Sequence, residues 1–194
     1  QAGGTTVNYY FATSTMDLEA VTASEEEFDM RSIATGGASS YSVADTYESV
    51  ASPTTWNSSS SWAAGLIPSS GSDVTLKGNM SLDGDITLAS LILESGTFTA
   101  GDGTPRTITI NGGGEIKNEG GTWTSSSENV VFSGSGTTTG TLSFNNVELN
   151  GGVNFGTGCS MQGTLEILSG GYVDTNAPTY GTGATLKYNN GGNY

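Results

Sequence analysis

The chain of 194 residues is long enough for one domain plus an appendage with a substantial core. Its apolar content of 34% is low, but 30 glycines, only 4 prolines and abundant Ser, Thr and Asn point to folded β structure rather than disorder. A net charge of -14 excludes nucleic-acid binding and disfavours an anionic membrane surface; the absence of His removes the usual general base and commonest transition-metal ligand, and no apolar run is long enough to span a bilayer.

Residues 1–52 form a distinct acidic segment. "TTVNYYFAT" (5–13) reads as a strand, and "MDLEAVTASEEEFDMRSIA" (16–34) as an acidic helix or as strand, loop and strand, with Glu25, Glu26 and Glu27 on a solvated surface. "GGASSYSVADTYESVAS" (36–52) is polar and turn-rich. The segment is expected either to cap the first rung of the downstream strand region or to add a strand to a neighbouring molecule, since exposed strand edges must be managed. The start, Gln-Ala-Gly-Gly, suits a mature exported chain.

Next comes "TWNSSSSWAAGLIP", in which Trp56 and Trp62 flank a run of serines. Two readings stand: a pair of rings that stacks a sugar, or packing at the boundary where an irregular segment hands over to the first regular rung. From Val74 onward, short strands succeed one another, separated by Gly, Asn or Asp: "VTL" 74–76, "DITL" 85–88, "LILESGTFT" 91–99, "TITINGGGEI" 107–116, "TWT" 122–124, "VVF" 130–132, "TLSF" 141–144, "VELNGGVNF" 147–155, "TLEILSGGYV" 164–173 and "ATLKY" 184–188. Each places alternate residues on one face, as a half-buried strand does.

Several of these share a template: an apolar-x-apolar strand, a glycine-containing corner and a second apolar strand. It aligns Leu91, Leu93 and Phe98 with Val147, Leu149 and Phe155, and with Leu165, Ile167 and Tyr172. A repeat of about 17 to 25 residues with such corners fits a coil of three short strands. The expected fold over residues 53–194 is therefore all-β, a right-handed parallel β-helix or β-solenoid with irregular rungs. An antiparallel β-sandwich is the alternative, with Asn-Gly at 111–112 and 150–151 as its hairpin signals.

The passage "TTWNSSSSWAAGLIPSSGSDVTLKGNMSLDGDITLASLILESGTFTAGDG" resembles the repeat regions of large surface proteins of Bacteroidetes exported by type IX secretion, and "GATLKYNNGGNY" is similar to another recurrent piece of them. The resemblance covers about residues 53 to 194. It implies a secreted β-solenoid at the cell surface, of adhesin type. It also implies O-glycosylation candidates at Thr46 in "DTY" and Thr175 in "DTN"; "NSS" at 57–59 and "NMS" at 79–81 are formal Asn-linked sequons.

Other chemistry is sparse. Asp83 and Asp85 in "LDGDI" are the best oxygen-ligand pair, a calcium candidate if Asp73 or Asp102 joined them, although the other ligands of a calcium loop are missing. Thr97/Thr99, Thr107/Thr109 and Thr122/Thr124 have the form of ice-binding arrays but lack constant spacing. Cys159 is expected as a small buried hydrophobe. The solenoid's acids fall about one per turn, without the clustered carboxylates that polysaccharide cleavage requires. The expected protein is an extracellular or cell-surface structural or adhesive element without catalytic activity: a stalk, adhesin segment or filament subunit. Its expected partners are copies of itself, through the solenoid ends or residues 1–52, and surface glycans. A carbohydrate-binding or polysaccharide-degrading β-helix is the alternative.

Overall fold

Apolar residues at alternate positions, interrupted every few residues by glycine corners, can bury their inner side only if successive strands turn about a common axis. The computed structural model describes residues 46–101, 103–189 and 191 and realises that arrangement. The strand expected at 5–13, the acidic stretch at 16–34 and Asp102 lie outside the described residues. The chain divides into two units, Gln1–Ser42 and Val43–Tyr194.

The second unit is a parallel β-solenoid of about 6 turns. Its strands are β1 (Thr46–Glu48), β2 (Ser72–Leu76), β3 (Met80–Ser81), β4 (Ile86–Leu93), β5 (Thr97–Thr99), β6 (Thr107–Asn118), β7 (Thr122–Thr124), β8 (Asn129–Phe132), β9 (Gly136–Thr139), β10 (Leu142–Phe144), β11 (Asn146–Leu149), β12 (Gly152–Asn154), β13 (Cys159–Met161), β14 (Thr164–Leu168), β15 (Tyr172–Val173), β16 (Thr179–Tyr180) and β17 (Thr185–Asn189). They fall on three faces visited in constant order. Face one stacks β1, β2, the second half of β4, the second half of β6, β9, β12 and β15. Face two stacks β3, β5 and β7, then β10, β13 and β16. Face three stacks the first halves of β4 and β6, then β8, β11, β14 and β17. Every named ladder is parallel, so the sandwich alternative is set aside; the one antiparallel contact among the described residues is the isolated bridge of Ser49 to Trp62.

Register turns sequence alternation into columns of core. On face three Ile108, Val130, Val147 and Leu165 lie in line, and beside them Ile110, Phe132, Leu149 and Ile167. Val74, Leu91 and Ile116 form the column of face one. On face two the column becomes aromatic: Phe98 meets Trp123 at 5.1 Å between centroids and Trp123 meets Phe144 at 5.0 Å, both edge to face. Each such buried side chain is worth about 1.5 to 3 kcal/mol in transfer from water, and an edge-to-face pair adds roughly 0.5 to 1.5 kcal/mol.

The Asn-Gly pairs expected as hairpin signals are corners instead. Asn111 to Gly114 carries β6 from face three to face one, with Gly113 at φ 86°. Gly140 has φ 85°, and a Cβ there would run into the carbonyl oxygen of Asn118 on the turn before. At Gly140 the two turns approach too closely for any side chain.

The shared template needs one correction. Val147 and Leu149 do pair with Leu165 and Ile167, but Leu91 and Leu93 belong to face one, not face three. Glycine corners occur on more than one side of the coil, Gly96 leading from face one to face two and Gly113 from face three to face one, so the template equates strands on different sides. Strand β1 pairs with β2 and so already belongs to the stack, upstream of "TTWNSSSSW".

Face two is interrupted once. Strands β7 and β10 belong to separate ladders. The carboxylate of Glu128, fully buried, fills the break: it accepts from Ser125 Oγ at 2.8 Å, the Ser126 amide at 2.8 Å and the Asn145 amide at 2.7 Å, with Trp123 Nε1 at 3.4 Å. A buried carboxylate is tolerated because backbone and hydroxyl donors satisfy it.

Candidate functional site

An open groove of about 590 Å³ runs along face three, lined by Ser126, Asn129, Asn145, Glu148, Glu166 and Lys187, among others. The alternation that sends Val147, Leu149, Leu165 and Ile167 inward sends the residues between them outward. Glu148, Glu166 and Lys187 are consecutive members of one outward column. Strand spacing in a sheet, about 4.8 Å, sets the separation of neighbours in that column.

Each carboxylate has a fixed donor. Glu148 accepts from Asn129 Nδ2 at 2.6 Å. Glu166 accepts from Asn189 Nδ2 at 2.8 Å and forms an ion pair with Lys187 Nζ at 2.9 Å. Hydrogen bonds from Lys187 and Asn189 hold the Glu166 carboxyl below the usual carboxylate range, so it stays ionised at neutral pH. Asn146 Oδ1 accepts the Thr164 amide at 2.9 Å and ties the strand edge of one turn to the next. Glu128 lies behind the groove and holds the backbone of Ser126 and Asn145 in its wall. Carboxylates, amides and hydroxyls on rigid strands can hydrogen-bond a polar, extended ligand. A general acid needs a carboxyl kept protonated, and Glu166 is biased the other way.

The residues singled out in the sequence lie elsewhere. Trp56 and Trp62 are each 2% exposed, and their rings meet at 4.8 Å and 73°. Trp62 Nε1 donates to the Trp56 carbonyl at 2.8 Å. Trp56 also contacts Phe98 at 6.4 Å, so the pair starts the aromatic column and presents no ring face to a sugar. Asp83 and Asp85 point to different turns: Asp83 Oδ1 accepts the Asn57 amide at 3.0 Å and Asn57 Nδ2 at 2.9 Å, whereas Asp85 Oδ1 accepts the Thr107 amide at 2.8 Å. Asp73 accepts from Ser90 Oγ at 2.5 Å. These carboxylates pin adjacent turns together, and among the described residues no group of three His, Cys, Asp or Glu side chains is arranged to hold a metal.

Thr46 is exposed on β1, and Thr175 is exposed at a corner with φ 61°. Thr97 and Thr99 lie in register with Thr122 and Thr124 on face two, while Thr107 and Thr109 belong to face three, so the threonine pairs do not form one array. Cys159 is buried, and burial pushes its thiol up to about 11.

Glu148, Glu166, Lys187, Asn129 and Glu128 escaped the sequence reading. One acid per turn looks scattered along the chain, yet in a solenoid that spacing is what stacks residues into a column. The signal was present: aligning "VELN" with "LEIL" by their apolar residues superposes Glu148 on Glu166. Comparison of the chain with protein-family models, curated proteins and solved structures finds no match.

Proposed function

We propose that the chain is a non-catalytic structural or adhesive protein of the cell surface, in which a rigid stack of turns displays polar faces that engage surface glycans. The observation that carries this reading is the state of the groove's acids: Glu148 and Glu166 are both held by fixed donors, an arrangement suited to hydrogen bonding a ligand rather than to moving protons. The strongly acidic balance favours neutral over acidic glycans and keeps the surface soluble. An exterior location draws its support from the resemblance of residues 53 to 194 to type IX surface proteins, and labelling of intact cells with an antibody to the chain tests it.

Polysaccharide cleavage is the second reading, favoured by one observation: two carboxylates, Glu148 and Glu166, stand next to each other in register. Affinity electrophoresis of the full chain in gels containing neutral or acidic polysaccharides, with reducing ends assayed in parallel, separates the two. The expected result is retardation that Asn129→Ala and Glu148→Gln weaken, with no new reducing ends. Depolymerisation abolished by Glu148→Gln or Glu166→Gln would replace the adhesive reading with the enzymatic one.

A further inference from the structure

We infer that the groove on face three takes glycans that carry a free amino group, with Glu148 receiving the ammonium. The inference rests on the proposed glycan-binding function and names the class of sugar.

The outward column along the groove holds an excess of negative charge. Val131, Glu148, Glu166 and Lys187 follow one another in register, so two carboxylates on adjacent strands share one lysine. Lys187 is committed to Glu166 at 2.9 Å, and among the described residues no Lys or Arg forms an ion pair with Glu148. Like charges directly opposite each other on neighbouring strands repel, and a cation carried by a ligand relieves that repulsion. The chain's charge of -14 draws such a ligand in.

The groups around Glu148 are turned to accept rather than to donate. A carboxylate is acceptor-only, so Asn129 gives it the Nδ2 side of its amide at 2.6 Å and keeps Oδ1 as an acceptor. Ser126 donates its hydroxyl proton to the Gly101 carbonyl at 2.6 Å, and Ser127 donates its own to the Thr104 carbonyl at 2.9 Å. Both serine oxygens therefore offer lone pairs. Glu148 meets Asn129 through Oε1, and its Oε2 takes no hydrogen bond from the described residues. Ser126, Ser127, Asn129 and Glu148 all line the groove, so a ligand must supply the donors there. An ammonium supplies donors and the matching charge together, and its charge-assisted bonds are roughly twice as strong as those of a neutral hydroxyl.

The neighbouring part of the groove makes a different demand. Glu166 is neutralised by Lys187 and Asn189, and Asn146, whose Oδ1 is engaged by the Thr164 amide, keeps Nδ2 as a donor. Hydroxyl and ring oxygens suit that part, and a chain of amino sugars carries both kinds of group. A basic peptide also carries ammonium groups, but β8, β11 and β14 are each paired on both sides, so the groove floor has no open strand edge for a peptide backbone.

The test measures binding of the full chain, by isothermal titration, to an oligomer of glucosamine and to its fully N-acetylated counterpart of equal length. Mildly acidic buffer keeps the amines charged. The amine oligomer should bind about tenfold tighter or more, and added salt should narrow the difference. Glu148→Gln, which keeps the shape and one acceptor, should bring the two affinities within about twofold of each other. Glu115→Gln removes one acid from face one instead and should leave the preference intact. Circular dichroism confirms that both variants keep the β signal. Equal affinity of the unsubstituted chain for the two oligomers, a preference that survives Glu148→Gln, or one lost equally in Glu115→Gln would overturn the inference. So would oligolysine binding as tightly as the amine oligomer, or loss of binding when a chelator is added. The two readings fail separately: equal affinity for both oligomers leaves the glycan-binding function standing, and binding of neither overturns that function as well.

Discussion

Trp62 donates its indole N–H to the carbonyl of Trp56 while the two rings meet edge to face, so one residue closes the first turn and the other starts the aromatic column of face two. The hydrogen bond and the ring contact contribute separately. Trp62→Phe, which keeps a ring and loses the donor, should cost about 1 to 2 kcal/mol in urea unfolding. Trp62→Ala, which also leaves a cavity, should cost about 3 to 5 kcal/mol. Equal losses in the two variants would show that the ring adds nothing beyond the donor, and a Trp62→Phe variant as stable as the unsubstituted chain would show that the donor contributes nothing.

Glu128 joins two ladders that have no strand pairing between them. Glu128→Ala orphans the amides of Ser126 and Asn145 and should cost about 2 to 4 kcal/mol. Glu128→Gln retains one acceptor and should fall between that and the unsubstituted chain. Hydrogen exchange at Ser126 and Asn145 locates the effect: both amides should lose protection in Glu128→Ala, while those of Ile108 and Val130 should be little changed.

Two corners of similar backbone carry opposite residues. Gly140 sits at φ 85° against the Asn118 carbonyl, and Gly140→Ala should destabilise by about 2 kcal/mol or more. Thr175 sits at φ 61°, a conformation that costs a β-branched residue about 1 to 2 kcal/mol. Replacement by Gly relieves that strain and adds backbone entropy to the unfolded chain, so Thr175→Gly should gain about 0.5 to 1 kcal/mol. Thermal melts of the two variants should therefore move in opposite directions.

Cys159 sets an alkaline limit. Its thiol titrates near 9.0 when unperturbed and near 11 when folded, because burial opposes the thiolate. Across that interval the unfolded chain binds fewer protons than the folded one, so stability falls as pH rises from about 9 to about 11. The loss amounts to about 2 to 3 kcal/mol and should be smaller in Cys159→Ala once its lower baseline is subtracted. Below pH 9 the contribution is fully present, and a thiol reagent should label Cys159 only in denaturant.

The fold was legible because a solenoid writes its architecture into local sequence. The apolar triplets marked inward columns, and the glycines between them marked corners. Side assignment was not legible: Leu91 and Val147 occupy matching places in the repeat yet lie on different faces, since local composition does not count corners. Short polar strands were missed as well. "GTTT" at 136–139 has no apolar side chain, and its inward positions are Gly136 and Thr138, the latter satisfied by a hydrogen bond to the Phe155 carbonyl. The groove was hidden for a related reason: Glu148 and Glu166 become neighbours only through register, which no short window contains.

The hydrogen bonds that join the turns run in the direction in which the turns succeed one another. A pull along that direction therefore loads the junction between two turns rather than the whole ladder at once. Neighbouring inward residues on face three are between 17 and 22 residues apart along the chain. Each turn that yields releases roughly 60 to 75 Å of extended chain. Held at its two ends, the solenoid would lengthen in steps, one turn at a time, and the turns still wound would keep their core.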